Sequence, residues 1–214
     1  MTDTAAPDRR SPRARADDSA HGARPLATRR LTLARVSLAA LLGALCAVAP
    51  VAADQESEAL PALFESLRET EDAAEAARLE GLIWQEWFVA PDDDARLLMS
   101  RLSGAMEGQD ADRALELADR LVETAPGFAE AWNRRATIHY LRGEDDRSVA
   151  DIRETLAREP RHFGAISGLG LIFLRQGDLE AALEAFEQVL VISPASASAR
   201  RSVERVRREL GREI

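Results

Sequence analysis

With 214 residues and a formal charge of −9, the chain has the size of one ordinary domain or two small ones. All 28 basic residues are Arg, set against 37 acidic ones, and a pI near 5.0 argues against the basic surface that non-specific nucleic-acid binding needs. Hydrophobic residues make up 46% of the chain but aromatic ones only 5%, which suits Ala- and Leu-packed helices rather than strands, and a single Cys excludes a disulfide framework or a thiolate metal cluster.

Residues 1–53 are a different kind of chain from the rest. They hold eight Arg and four Asp, a net charge of +4, whereas the remaining 161 residues carry −13. An uncharged run, Val36–Ala53, follows Arg35 and ends in Pro50-Val51-Ala52-Ala53. Basic flank, apolar run and small terminal residues are the three parts of a secretory signal peptide, with cleavage expected between Ala53 and Asp54. The rival is an uncleaved inner-membrane anchor, since 18 uncharged residues come near the minimum for a span. Thr28-Arg29-Arg30-Leu31-Thr32-Leu33 partly resembles a twin-arginine export motif, with Thr32 in place of the usual Phe. Cys46 lies in the segment to be removed.

Residues 54–91 read as a helical hairpin. Leu60, Leu63, Phe64 and Leu67 form one apolar face, and Leu79, Ile83 and Trp87 form another. Trp84, Trp87 and Phe88 make the largest aromatic cluster, expected to pack the N-terminal end of the core. Asp92-Asp93-Asp94 is the densest acidic run. It lacks the alternating ligands of a calcium loop and fits the start of a helix, where the dipole favours negative charge.

From there a fixed period governs the chain. Pro91, Pro126, Pro160 and Pro194 are separated by 35, 34 and 34 residues, and each closes an apolar helical run. Between them lie turns at Gly108-Gln109-Asp110, Arg142-Gly143-Glu144-Asp145 and Gln176-Gly177-Asp178, where Gly supplies a left-handed cap and Asp can cap the next helix. Each unit is therefore two helices joined by a tight turn. After Pro194, residues 195–214 form one more amphipathic helix, with Val203, Val206, Leu210 and Ile214 opposite Arg200, Arg201, Arg205, Arg207 and Arg208. It reads as a cap over the last apolar face. The alternative, a basic helix lying on an anionic membrane, is interrupted by Glu204 and Glu209.

This pattern resembles the tetratricopeptide repeat (TPR). In 163–194, Leu169-Gly170 matches the Leu-Gly pair of the family's first helix, Gly177-Asp178 the turn, and Ala182, Phe186 and Val189 the buried stripe of its second. In 129–160, Trp132, Ala136, Gly143 and Pro160 match, while Ser148 and Ile152 depart from the usual Ala and aromatic residue. In 95–126, Ala114, Leu121 and Pro126 are kept, but Leu102 stands where a small residue is expected. The resemblance implies an all-α fold: a right-handed α-solenoid of three helix-turn-helix units, a degenerate hairpin before them and a capping helix after.

No catalytic constellation is legible. His139 and His162 have no metal-ligand spacing, and Gly164–Gly170 lacks the order of a dinucleotide fingerprint, so its glycines read as packing residues. No enzyme activity, metal or cofactor is expected. The resemblance implies a concave groove lined by first helices, and its phase places Arg96, Met99, Ser103 and Met106, then Glu130, Asn133, Thr137 and Tyr140, then Ser167, Leu171, Leu174 and Arg175 on the inward face. Met99, Met106, Asn133, Thr137, Tyr140, Leu171, Leu174 and Arg175 are the candidate peptide-binding residues, since adaptable apolar side chains suit a peptide or helix. Carboxylate-tail clamping of the kind some family members perform is not expected, because no Lys exists to supply it. The expected function is an exported, periplasmic scaffold for a protein or peptide partner, with envelope assembly as a candidate role. It would bind no nucleic acid, and no membrane after cleavage. Self-association as a homo-oligomer or an anchored inner-membrane form are the alternatives.

Overall fold

The structure, a computed structural model, describes residues 57–211, which fall within one compact unit. The cleavage residues Ala53 and Asp54 and the whole Val36–Ala53 run lie outside the described residues. Among the described residues there are nine helices and no strand: α1 Leu60–Glu69, α2 Ala73–Trp87, α3 Asp93–Glu107, α4 Ala111–Thr124, α5 Ala129–Leu141, α6 Asp145–Arg158, α7 Phe163–Gln176, α8 Leu179–Ile192 and α9 Ala197–Leu210. None is long and apolar enough to cross a membrane.

The turn chemistry explains where the helices start and stop. Asp72, Asp92, Asp110 and Asp178 each cap a helix, their carboxylates accepting from backbone N–H groups at 2.7–3.1 Å. Asp93 and Asp94 fall in the first turn of α3, where the helix dipole favours them. Gly143 and Gly177 take the left-handed conformation, with φ of 75° and 76°. In the first repeat that role falls instead on Gln109, at φ 58°, while Gly108 stays right-handed. The middle repeat departs differently: Glu144 stands at the N-cap of α6 without capping it, because its carboxylate is taken by His139 and Arg142.

The three helix pairs α3–α4, α5–α6 and α7–α8 form the solenoid, and their packing keeps a constant volume. The position 34 residues apart in each first helix is Leu102, Ala136 and Gly170; the facing position of each second helix is Ala118, Ile152 and Phe186. As one side chain shrinks the other grows, and all six are buried. At Gly170 the fit is closed, since a Cβ there would stand 2.7 Å from the Phe186 ring. This explains the large Leu102 at a position that the period marks as small. Ser148, the other departure, donates its hydroxyl hydrogen to the Ala136 carbonyl at 2.8 Å and so bridges α5 and α6. The cap behaves as expected: Val203 and Val206 of α9 are buried with Leu179, Ala182 and Phe186.

The N-terminal hairpin does not stack ahead of the first repeat. Leu67, Ile83 and Trp87 are fully buried in one cluster with Ile152, Leu156, Phe163, Ile166, Val189, Ala195 and Ala199, residues of the second and third repeats and the start of α9. The expectation that Trp84 and Trp87 close the N-terminal end of the core is therefore corrected. An apolar helix face is buried wherever apolar area is on offer, and here residues of α5 to α9 offer it.

Candidate functional site

The site is built on the inward faces of α5 and α7, with α2 lying against them. Glu130, in the first turn of α5, is fully buried and its carboxylate accepts from Asn133 Nδ2 (2.8 Å) and Arg134 Nε (2.8 Å). His162, the N-cap of α7, accepts the Ala165 N–H at its Nδ1 (3.1 Å). That bond leaves the hydrogen on Nε2, which points to Glu130 Oε2 at 3.2 Å. The three donors satisfy a carboxylate that burial would otherwise penalise. Trp87 stacks on the His162 ring with centroids 4.0 Å apart and planes 9° from parallel, and Trp84 meets the same ring edge-on at 5.3 Å.

The remaining contacts of the hairpin extend this interface. Trp84 lies against Gly164, where a Cβ would stand 2.6 Å from the indole. The Arg134 guanidinium sits 4.5 Å from the Phe88 ring, and that of Arg161 sits 4.0 Å from the Phe64 ring. Glu80 accepts the Ser193 hydroxyl at 2.8 Å, across 113 residues of sequence. A small pocket remains between the two partners, lined by Trp84, Phe88, Glu130, Asn133, Arg134 and Thr137.

The candidate residues therefore fall into two stretches. Met99 is buried in a cluster against which Phe88 and Ala90 pack, and Met106 is half-buried beside it, with Arg134 Nη1 3.8 Å from its sulfur. Asn133 is buried and committed to Glu130. These three are occupied within the chain, so the open groove expected at that end is corrected to a covered one. The second stretch is open. Thr137 is exposed, with its hydroxyl turned back to the Asn133 carbonyl, and Leu171 is 42% exposed. Tyr140 and Leu174 are half-buried, packed against the repeat core on one side. Arg175 lies 3.9 Å over the Tyr140 ring, donates to the Tyr140 carbonyl (2.9 Å) and pairs with Asp145.

Helical phase could not have found His162, Gly164 or Arg134 as parts of this interface, because their partners lie 46 or more residues away in sequence. The one available signal was the Trp84-Trp87-Phe88 triplet itself. A second polar cluster lies on α5 and α6. Arg135 donates to both carboxylate oxygens of buried Asp151 (2.8 Å each) and to Asp119 (2.9 Å), and the Asp151 bond, more than Asp119, raises its already high pKa. Among the described residues no group of three His, Cys, Asp or Glu side chains could hold a metal ion.

A TPR repeat-containing protein of Rhizobium etli is 34% identical over 152 residues, covering 71% of this chain and 74% of that one. The chain belongs to the tetratricopeptide repeat family. The family's sequence profile matches residues 103–154 and 145–197, which takes in the end of α3 and the whole of α4 to α8. The small glutamine-rich tetratricopeptide repeat-containing protein 2 of Saccharomyces cerevisiae is 30% identical over 114 residues, half of this chain and 33% of that protein. Among solved structures, the Sgt2 TPR domain of Aspergillus fumigatus superposes with a TM-score of 0.53 at 23% identity, covering 57% of this chain and 82% of that one. The first TPR of Spaghetti (RPAP3), solved with an HSP90 peptide, gives 0.52 at 18% identity over 55% of this chain and 93% of that one. At such identities the likeness shows the fold: a TPR solenoid.

Proposed function

We propose that this TPR protein is a non-catalytic scaffold that holds a protein or peptide partner on the inward face of its first helices. The observation that carries the reading is that α2, a helix outside the repeats, is already seated on that face against α5 and α7. A surface that accepts one helix through ring stacking and cation–π contacts can accept another. The open stretch beside it, from Thr137 and Tyr140 to Leu171 and Leu174, offers apolar area rimmed by Arg175. The solved relative bound to an HSP90 peptide supports a peptide as ligand class. The absence of Lys speaks against the same carboxylate recognition here.

In this reading the folded repeats are delivered to the bacterial periplasm and serve envelope assembly; the leader-like composition of residues 1–53 supports the export step alone. Intact mass measurement of the exported protein tests this: a chain beginning at Asp54 supports cleavage, and one that retains residues 1–53 makes the anchored form correct. The binding reading is tested by photo-crosslinking from position 171 in cells. Thr137→Arg, at an exposed position beside it, should abolish capture of a defined adduct while leaving the thermal transition within about 0.5 kcal/mol of the unmutated chain. Adducts that persist in this variant would refute it.

A further inference from the structure

The face under α2 has the form of a receptor that already carries its ligand. Trp84, Trp87 and Phe88 recur at i, i+3 and i+4 of one helix end, and each meets a counterpart shaped for it. Trp84 lies on bare backbone at Gly164, Trp87 stacks on His162, and Phe88 is covered by Arg134. The His162 ring is held in register by Ala165 and Glu130, so the platform is organised by the repeats rather than by the hairpin. Four residues ahead of Trp84, Glu80 takes the hydroxyl of Ser193. The hairpin is tied to α3 only through Phe88–Asp92, five residues that hold no helix.

We propose that the inward face of α5 and α7 is a receptor for an amphipathic protein helix with aromatic residues at i, i+3 and i+4 and a carboxylate four residues before the first. Helix α2 is its resident occupant, and a partner helix of the same chemistry binds by displacing the α1–α2 hairpin. This rests on the groove being the partner-binding surface and names the partner's chemistry. It also explains why Asn133, placed by phase on an open groove, is buried beside Trp84 and Phe88.

The test uses the full chain and a fluorescein-labelled synthetic peptide of residues 73–89. Trp87→Ala removes the stacked indole and should free the face, so that this variant binds the peptide at least about tenfold more tightly than the unmutated chain, whose tethered helix competes at high effective concentration. Adding Gly164→Ala should abolish that binding: its Cβ takes the place of the Trp84 indole, while Ala suits helix α7 better than Gly. A peptide carrying Trp84→Ala should not bind. If Trp87→Ala loses helical circular dichroism, hydrogen exchange on the unmutated chain replaces it. There, α1 and α2 should exchange faster than α5 and α7, and excess peptide should strip protection from α1 and α2 alone. A released face that ignores the peptide, binding that survives Gly164→Ala, or a hairpin that exchanges in step with α5 and α7 would each overturn the proposal. Crosslinking from position 171 reads separately. Peptide binding without a captured partner keeps the receptor and removes the scaffold function, and a captured partner without peptide binding does the reverse.

Discussion

Two residues hold their places for reasons that can be measured. Gln109 is the one described non-glycine residue with positive φ, at 58°, and it occupies the turn position that Gly143 and Gly177 fill in the other repeats. An L side chain in that region costs about 1–2 kcal/mol, partly offset by the greater freedom of glycine in the unfolded chain. Gln109→Gly should therefore stabilise the protein by about 0.5–1 kcal/mol, read as a higher urea midpoint at unchanged slope. Glu144 illustrates the opposite case of a residue spent on a local network. Its carboxylate pairs with Arg142 (2.9 Å), His139 Nδ1 (2.7 Å) and Arg147 (3.3 Å). The Arg142 bond first, and His139 second, hold its pKa at about 2 against the ordinary 4.5. A carboxylate depressed in the folded state contributes stability that is fully present above 4.5 and is lost as the pH falls towards 2. Glu144→Gln should accordingly be less stable than the parent at neutral pH, and the gap should close between pH 4.5 and 2. Denaturation at several pH values checks this; a gap that stays constant through the window would mean the pairing has no thermodynamic weight.

At the level of elements, the paired volumes of the repeats set what each glycine tolerates. A Cβ on Gly170 would stand 2.7 Å from the buried Phe186 ring, whereas one on Gly168 meets only the Ile152 Cδ1 at 3.4 Å. Both are helix-interior positions, where Gly→Ala is favourable by about 1 kcal/mol on backbone grounds alone. Overpacking reverses the sign only at the first. Gly170→Ala should cost about 1–2 kcal/mol net, and Gly168→Ala should be neutral or stabilising by up to about 1 kcal/mol. Equal effects in urea unfolding would show that Phe186 moves aside freely. This contrast also marks what the sequence reveals. Proline spacing and Asp caps are local and periodic, so the helices, the repeat family and the cap over α8 were legible, whereas the paired volumes showed in the sequence only as departures at Leu102 and Ile152. The seat of the α1–α2 hairpin was not. Leu79, Ile83 and Trp87 say which face is buried, but burial is non-directional and does not say against what. Met99 and Asn133 show the same limit: phase gave their side of the helix, and the groups that bury them come from elsewhere in the chain.

The hairpin changes how the whole described assembly should unfold. A solenoid whose repeats touch only their neighbours has stability that sums over those neighbours, and its last helices fray first. Here Glu80 reaches Ser193 at the end of α8, and Ala195 and Ala199, flanking the start of α9, share a cluster with Leu79 and Ile83. One element thus joins the second repeat, the third repeat and the cap, so α8 and α9 cannot open without also giving up their contacts with α2. Weakening the hairpin should loosen that end and leave the far end alone. Gly164→Ala is the suitable probe, because its Cβ meets Trp84 while α7 itself gains helix propensity. In this variant the amides of α1, α2, α8 and α9 should exchange faster by about tenfold or more, a loss of about 1.4 kcal/mol or more of local protection, while those of α4 should not change. The comparison is internal to one protein, so a general loss of stability has its own signature: a uniform acceleration that includes α4. That result would mean the chain opens as one unit and the hairpin is simply part of its core. Acceleration confined to the hairpin and the C-terminal helices requires a clamp that can be released while the first two repeats stay folded.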